Sequence, residues 1–107
     1  MRKLTMIRKK TFVASLMSAY LFVEVQGQGE MELRGVQCAQ VATIKNGQSA
    51  TVSIPETAVR IFIVFDKIMP KTFNTVYDLG TGAEDVTLYT KAKYNPFKGN
   101  PFVITEN

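Results

Sequence analysis

The sequence contains no histidine, no tryptophan and a single cysteine among its 107 residues. Without histidine the chain lacks the commonest general base and metal ligand, which excludes catalytic triads with a histidine base and His-based metal sites. One cysteine cannot close an internal disulfide or form a Cys-rich zinc site. Together these absences favour a non-catalytic protein that needs no cofactor and no metal ion.

What is present is a globular composition, with 46% hydrophobic and 21% charged residues in a chain long enough for one domain. The net charge of +4 is unevenly distributed. The first ten residues hold five of the 13 basic residues and none of the nine acidic ones, which leaves eight bases against nine acids in the remainder. The body of the chain is therefore nearly neutral, and its charge does not indicate a nucleic-acid partner.

The basic N-terminus is followed by thirteen uncharged residues, Thr11–Val23, and then by Glu24. A charged segment, a short apolar run and small residues at Val25 and Gly27 are the layout of a secretory signal, although an acid at this place is atypical. We therefore predict a helical leader over residues 1–27, cleavage between Gly27 and Gln28, and export to the periplasm, the cell surface or the medium. The alternatives are a retained membrane anchor or the first helix of a cytosolic domain.

Residues 28–107 contain short β-rich runs separated by turn signals. The runs lie at residues 31–36, 41–44, 50–54, 59–65, 72–77, 86–90 and 102–105. The pair Asn46-Gly47 predicts a β-hairpin with a type I′ turn between the second and third runs. The run 59–65 is apolar on both faces, which predicts a central strand. The pattern predicts an all-β domain, an antiparallel β-sandwich or partly open barrel of six or seven short strands.

Half of the chain, residues 41–88, carries a recognisable order of turns and strands. Lys45-Asn46-Gly47 is followed by a strand that ends at Ile54-Pro55, by the apolar strand 59–65 and by Val86-Thr87-Leu88. This order resembles PEGA-type repeats, which are small β-modules of bacterial surface proteins and lipoproteins. The chain departs from them at Glu56-Thr57 and has no cysteine for lipid attachment. The resemblance implies an extracytoplasmic, non-catalytic module, and it transfers no functional residue.

Tyrosines and lysines are interleaved in the last third of the chain, and they form the candidate binding face. Aromatic rings and lysines side by side can stack on sugar rings or single-stranded bases. The members of this predicted face are Tyr77, Tyr89, Lys91, Lys93, Tyr94 and Lys98. The alternative is structural, with aromatic residues filling the core and lysines protecting an edge strand.

Other reactive side chains have structural interpretations. Cys38 lies in a strand-like stretch, which favours a buried thiol, with an intermolecular disulfide as the alternative. Asp78, Glu84 and Asp85 surround a glycine-containing loop that we interpret as a solvated turn, with calcium binding as the alternative. No pair of carboxylates has the arrangement that glycoside hydrolysis requires.

The partners follow from size and surface. A domain of about 80 residues buries a modest core, so docking to another protein or self-assembly would stabilise it. We expect a protein partner or a second copy at exposed strand edges, with a glycan as a further candidate ligand. A membrane is expected only if the N-terminal segment is retained. In that case the protein is a membrane-anchored accessory subunit of a cell-envelope complex.

Overall fold

A computed structural model of the chain describes residues 1–12, 16–58, 60–65, 74–93 and 102–106. Over these ranges the chain forms nine strands: β1 Arg2–Arg8, β2 Ala19–Glu24, β3 Met31–Leu33, β4 Val36–Ile44, β5 Ser49–Ile54, β6 Arg60–Val64, β7 Asn74–Asp78, β8 Val86–Ala92 and β9 Phe102–Thr105. The all-β class is therefore confirmed. Within the same ranges there is no helix with the length and hydropathy of a membrane span.

The N-terminal helix predicted from the sequence is wrong, because β1 and β2 occupy this part of the chain. Side chains alternate along β1, with Leu4 and Met6 fully buried and Lys3 exposed. This period of two belongs to a strand that is covered on one face. In β2 the aromatic and β-branched residues Tyr20, Phe22 and Val23 favour a strand over a helix.

The strands form two sheets. Sheet A has the order β5-β1-β8-β9, and sheet B has the order β3-β4-β2-β6-β7. Strand β1 lies inside sheet A, antiparallel to β5 and parallel to β8. The first 24 residues therefore supply one interior strand to each sheet.

The two sheets share one hydrophobic core. Its buried members come from β1 and β8 of sheet A and from β2 and β6 of sheet B, among others. Sheet B is also apolar on its other side, where Phe22, Phe62 and Val64 belong to a second buried cluster. Strand β6 is thus covered on both faces, as the sequence predicts for the run 59–65.

Three details of the prediction are corrected. Strands β4 and β5 do not pair as a hairpin, because β4 pairs in sheet B and β5 in sheet A, so the turn at Asn46-Gly47 connects the two sheets. Of this pair only Gly47 has a positive φ, 77°, so the turn is not type I′. The predicted strand 31–36 is interrupted by Arg34 and Gly35, whose φ angles of 50° and 84° turn the chain from β3 into β4.

Candidate functional site

The structure separates the residues of the predicted binding face. Tyr89 and Lys91 point outward from β8, and Lys93 continues the same outward series beyond the strand. Tyr77 lies in β7 of sheet B, packs against the shared core and donates a hydrogen bond to Glu106 Oε1 at 2.7 Å. That hydrogen bond raises the pKa of the phenol. Tyr94 and Lys98 lie outside the described residues, so the face is carried by three of its six predicted members.

Strands β1 and β5 bring further residues beside Tyr89, and together they form what we call the outer face of sheet A. Thr5 is in register with Thr51 on one side and with Thr87 on the other. In the next outward row, Ile7 lies between Ser49 and Tyr89, and Tyr89 is opposite Thr105. The backbone N–H of Lys9 donates to Thr90 O at 2.8 Å, which continues this register past the end of β1.

Local contacts hold several of these side chains in place. The hydroxyl oxygens of Thr5 and Thr51 are 3.0 Å apart, within hydrogen-bond distance. The ammonium of Lys9 lies 5.1 Å from the centroid of the Tyr89 ring, a cation–π distance. The Lys9 cation therefore lies over the Tyr89 ring, near the end of the face where β1 finishes.

The outer face of sheet A is basic and rich in hydroxyl groups. The outward positions on its described strands carry no Asp or Glu. The carboxylate of Asp85 lies beside Lys3 at one end of the face, since Asp85 precedes β8 and accepts a hydrogen bond from the backbone N–H of Lys3 at 2.9 Å. The cations of the face are Lys3, Lys9, Lys91 and Lys93.

The sequence analysis missed Lys3, Thr5 and Lys9 because it assigned them to a leader. The signal that could have found them is the alternation from Arg2 to Arg8, in which Leu4 and Met6 are buried and the odd positions face outward. This alternation covers only seven residues, and the basic residues within it are also typical of the start of a secretory signal. Among residues 1–10 the three lysines therefore lie at the surface, whereas the two arginines are buried.

The two buried arginines lie at the ends of β1 and donate hydrogen bonds to backbone carbonyls. Arg8 is 1% exposed, and its Nη1 donates to Met17 O at 2.6 Å and to Ile44 O at 2.9 Å. Its guanidinium lies 4.7 Å from the centroid of the Phe102 ring. At the other end Arg2 donates to the carbonyls of Ala58 and Gly80. Burial lowers the pKa of Arg8. These side chains tie the connections at both ends of the sheets to β1.

The strand edges differ in how they are protected. At one side of the molecule β7 and β9 are joined, since Thr75 Oγ1 donates to Phe102 O at 2.8 Å and Tyr77 bonds Glu106. Edge strand β3 has three residues and carries Glu32, with Glu30 and Arg34 beside it. Edge strand β5 has six residues, Ser49–Ile54, and none of them is charged.

A shallow depression of about 440 Å³ lies beside the predicted cleavage site. Val25, Gln28, Gly29 and Glu30 line it together with Gln26 and Ala39. Gly27 is exposed with a φ of 74°. Gly29 packs so closely on β4 that a Cβ there would lie 2.5 Å from Cys38 O. Glu30 is the single titratable residue of this lining, so the lining itself offers no pair of groups for acid–base chemistry.

The other predicted reactive groups occupy separate places. The thiol of Cys38 is free and buried, as the strand-like sequence predicts. Asp78 accepts a hydrogen bond from the N–H of Gly80 at 3.2 Å, whereas Asp85 bonds the backbone of Lys3. Among the described residues no three His, Cys, Asp or Glu side chains are grouped so that they could hold a metal ion.

Comparisons with protein-family models, curated proteins and solved structures found no match to this chain. The resemblance of residues 41–88 to PEGA-type repeats therefore stays a prediction.

Proposed function

We propose that this protein is a non-catalytic binding module and that the outer face of sheet A binds an acidic glycan. The observation that carries the proposal is the placement of three lysines, Lys9, Lys91 and Lys93, near Tyr89 on an extended, hydroxyl-bearing surface, with Asp85 beside Lys3 at the far end. Lysine ammonium groups pair with carboxylates, and hydroxyl side chains exchange hydrogen bonds with sugar hydroxyls. A polymer of uronic acids offers both groups at a regular spacing.

The composition of the face favours a glycan over a protein partner. Cores of protein interfaces are depleted in lysine and serine and enriched in Tyr, Trp, Phe, Met and Arg, and of these types a single residue, Tyr89, points outward on the described strands of sheet A. Threonine and serine, which are frequent here, rarely supply the dominant contacts of a protein interface. An open surface of this kind instead suits a chain of sugar rings that lies along the strands.

The position of Lys9 over the Tyr89 ring contributes to affinity by pre-organisation. A lysine that is already held by a cation–π contact loses less rotamer freedom when it binds a carboxylate. The remaining lysines are exposed or half-buried, so each contributes an ion pair worth under about 1 kcal/mol. Binding should therefore be moderate, depend on several carboxylates at once, and weaken as salt is added.

Titration calorimetry with an oligogalacturonate tests this proposal, and the same oligosaccharide with methyl-esterified carboxylates is the matched control ligand. We expect binding of the free acid and none of the ester. Lys91→Gln should weaken binding about threefold, the value of one exposed ion pair. Arg60→Gln removes an exposed cation from sheet B and should leave the affinity unchanged.

Two results would contradict the proposal. Equal binding of the acid and its methyl ester would exclude recognition by charge. Poly-glutamate bound as tightly as the oligogalacturonate would indicate an acidic protein surface as the partner instead of a glycan.

The proposal includes export of the protein. Polymers of acidic sugars lie outside the cell, and the resemblance to PEGA-type repeats implies an extracytoplasmic module. Cleavage between Gly27 and Gln28 is not part of the proposal. A chain that begins at Gln28 would lack β1 and β2, an interior strand of each sheet. The alternative of a membrane-attached subunit is supported by Phe12 and Leu16, which are 95% and 100% exposed between these strands. The mass of the chain purified from its own host distinguishes a start at Met1 from a start at Gln28.

A further inference from the structure

Among the described strands, β5 ends sheet A, and its edge lacks the usual protection. Natural edge strands avoid unwanted pairing by being short or by carrying charges, prolines or bulges. The six residues of β5 contain no charge and no proline, and its pairing with β1 runs without a register shift. Ser49, Thr51 and Ser53 are exposed along it.

The backbone groups that point away from β1 can be assigned. Arg8 N donates to Gln48 O at 2.9 Å, so Arg8 and Gln48 form a hydrogen-bonded pair. Such pairs alternate along an antiparallel ladder, which places the N–H and C=O groups of Ala50, Val52 and Ile54 toward β1. The groups of Ser49, Thr51 and Ser53 therefore face the free edge.

We infer that β5 pairs with β5 of a second copy of this chain, antiparallel and with Thr51 on the two-fold axis. In this register Thr51 is opposite Thr51 of the second copy, and each Ser49 is opposite a Ser53. The backbone N–H and C=O groups of Ser49, Thr51 and Ser53 then pair with those of the second copy, which gives six hydrogen bonds between the two β5 strands. A shift of two residues toward Pro55 would lose bonds, because Pro55 has no N–H, and the opposite shift would require pairing by Gly47, which lies in a turn.

Side chains agree with this register on both faces. On the inner side Ala50 comes opposite Val52 of the second copy, and both residues are half-buried in the single chain and pack against the core. Pairing would remove more of their apolar surface from water. On the outer side the row of Thr87, Thr5 and Thr51 continues into the same row of the second copy.

Charges that flank β5 have opposite signs at its two ends. Lys45 and the Lys10 side chain, which lies against Gly47, are near the end where β5 begins, whereas Glu56 follows the other end in a turn. An antiparallel arrangement brings the basic end of one copy to the acidic end of the other. The attraction is modest, because the exposed Glu56 carboxylate already pairs with the Met1 ammonium at 3.2 Å, and the uncharged centre of β5 meets no repulsion.

The resulting dimer has a continuous eight-stranded sheet, with the two outer faces in one surface. This inference rests on the edge of β5 and stands independently of the glycan proposal.

Cross-linking tests the register directly. In a hydrogen-bonded antiparallel pair the Cα atoms are about 5.5 Å apart, so Thr51→Cys should give a covalent dimer with a short thiol cross-linker. Ser53→Cys is the matched control, because in this register its two copies are separated by about 13 Å. Cys38 is buried in the wild type and should give no product. Failure of Thr51→Cys to cross-link, or equal cross-linking of Ser53→Cys, overturns the inference.

Sedimentation equilibrium gives a second test that does not depend on cysteine. Thr51→Pro removes an N–H that points away from β1, so it should weaken the dimer at least tenfold while circular dichroism shows an unchanged fold. Thr51→Val keeps the N–H and should retain the dimer. A wild-type chain that stays monomeric at several hundred micromolar, or a Thr51→Pro chain that dimerises as well as Thr51→Val, contradicts the inference.

Discussion

At the scale of single residues, Cys38 shows how burial controls the chemistry of the one thiol. Its side chain is fully buried in a cluster with Phe22, Leu33 and Phe62, and Sγ donates to Val36 O at 3.5 Å. Burial raises the pKa of the thiol from its usual 9.0 to about 11, and the negative charge of Glu24 acts in the same direction. The thiol is therefore protonated and unreactive at neutral pH.

This raised pKa makes stability depend on alkaline pH. Below pH 9.0 the thiol is protonated in both states, whereas between 9.0 and about 11 the unfolded chain releases the proton first, so stability falls as pH rises. We expect the stability of the wild type relative to Cys38→Ala to decrease by about 2 kcal/mol by about pH 10.5. Urea unfolding of both proteins measures this difference, in which the shared tyrosines and lysines cancel. A constant difference would contradict the buried thiol.

At the scale of elements, β1 changes how the basic N-terminus is understood. A basic segment before an apolar run predicts a leader, yet two of the basic residues, Arg2 and Arg8, are buried at the ends of β1. Arg2 and Arg8 are buried because backbone carbonyls of the connections accept their hydrogen bonds. Three of those four carbonyls, on Ile44, Ala58 and Gly80, come from residues 36 or more positions away, so no local sequence pattern predicts these hydrogen bonds.

Paired substitutions measure whether β1 belongs to the folded domain. Leu4 is fully buried in the shared core, so Leu4→Ala should cost about 2 to 5 kcal/mol of unfolding free energy. Its neighbour Thr5 is half-buried on the outer face, and Thr5→Ala should cost under about 1 kcal/mol. Urea unfolding gives both values. If both substitutions left stability unchanged, β1 would not be part of the cooperative fold.

Other elements show which parts of the fold a sequence can predict. Strand β6 was predictable because apolar residues on both of its faces suffice to identify a central strand. The pairing of β5 was not, because Asn46-Gly47 between two strands favours a hairpin, while the partner that β5 actually has is 42 or more residues earlier in the chain. Half of the candidate site was predictable from Tyr89, Lys91 and Lys93, and the other half depended on that same long-range pairing.

At the scale of the whole molecule, positive charge is concentrated at one end of sheet A. At the end where β1 begins, Glu56 and Asp85 are offset by Lys3 and by the Met1 ammonium, which pairs with Glu56 at 3.2 Å. Lys9, Lys91 and Lys93 lie at the end where β1 finishes. The proposed acidic glycan should therefore bind toward the end of the outer face that carries these three lysines.

The most direct measurement is a titration of ¹⁵N-labelled protein with an oligogalacturonate, followed by the shifts of the backbone amides. We expect the largest shifts at Lys9, Tyr89 and Lys91 on the outer face of sheet A, with little change at β3 and β4 of sheet B. Shifts confined to sheet B, or none at any ligand concentration, would contradict a glycan site on this face.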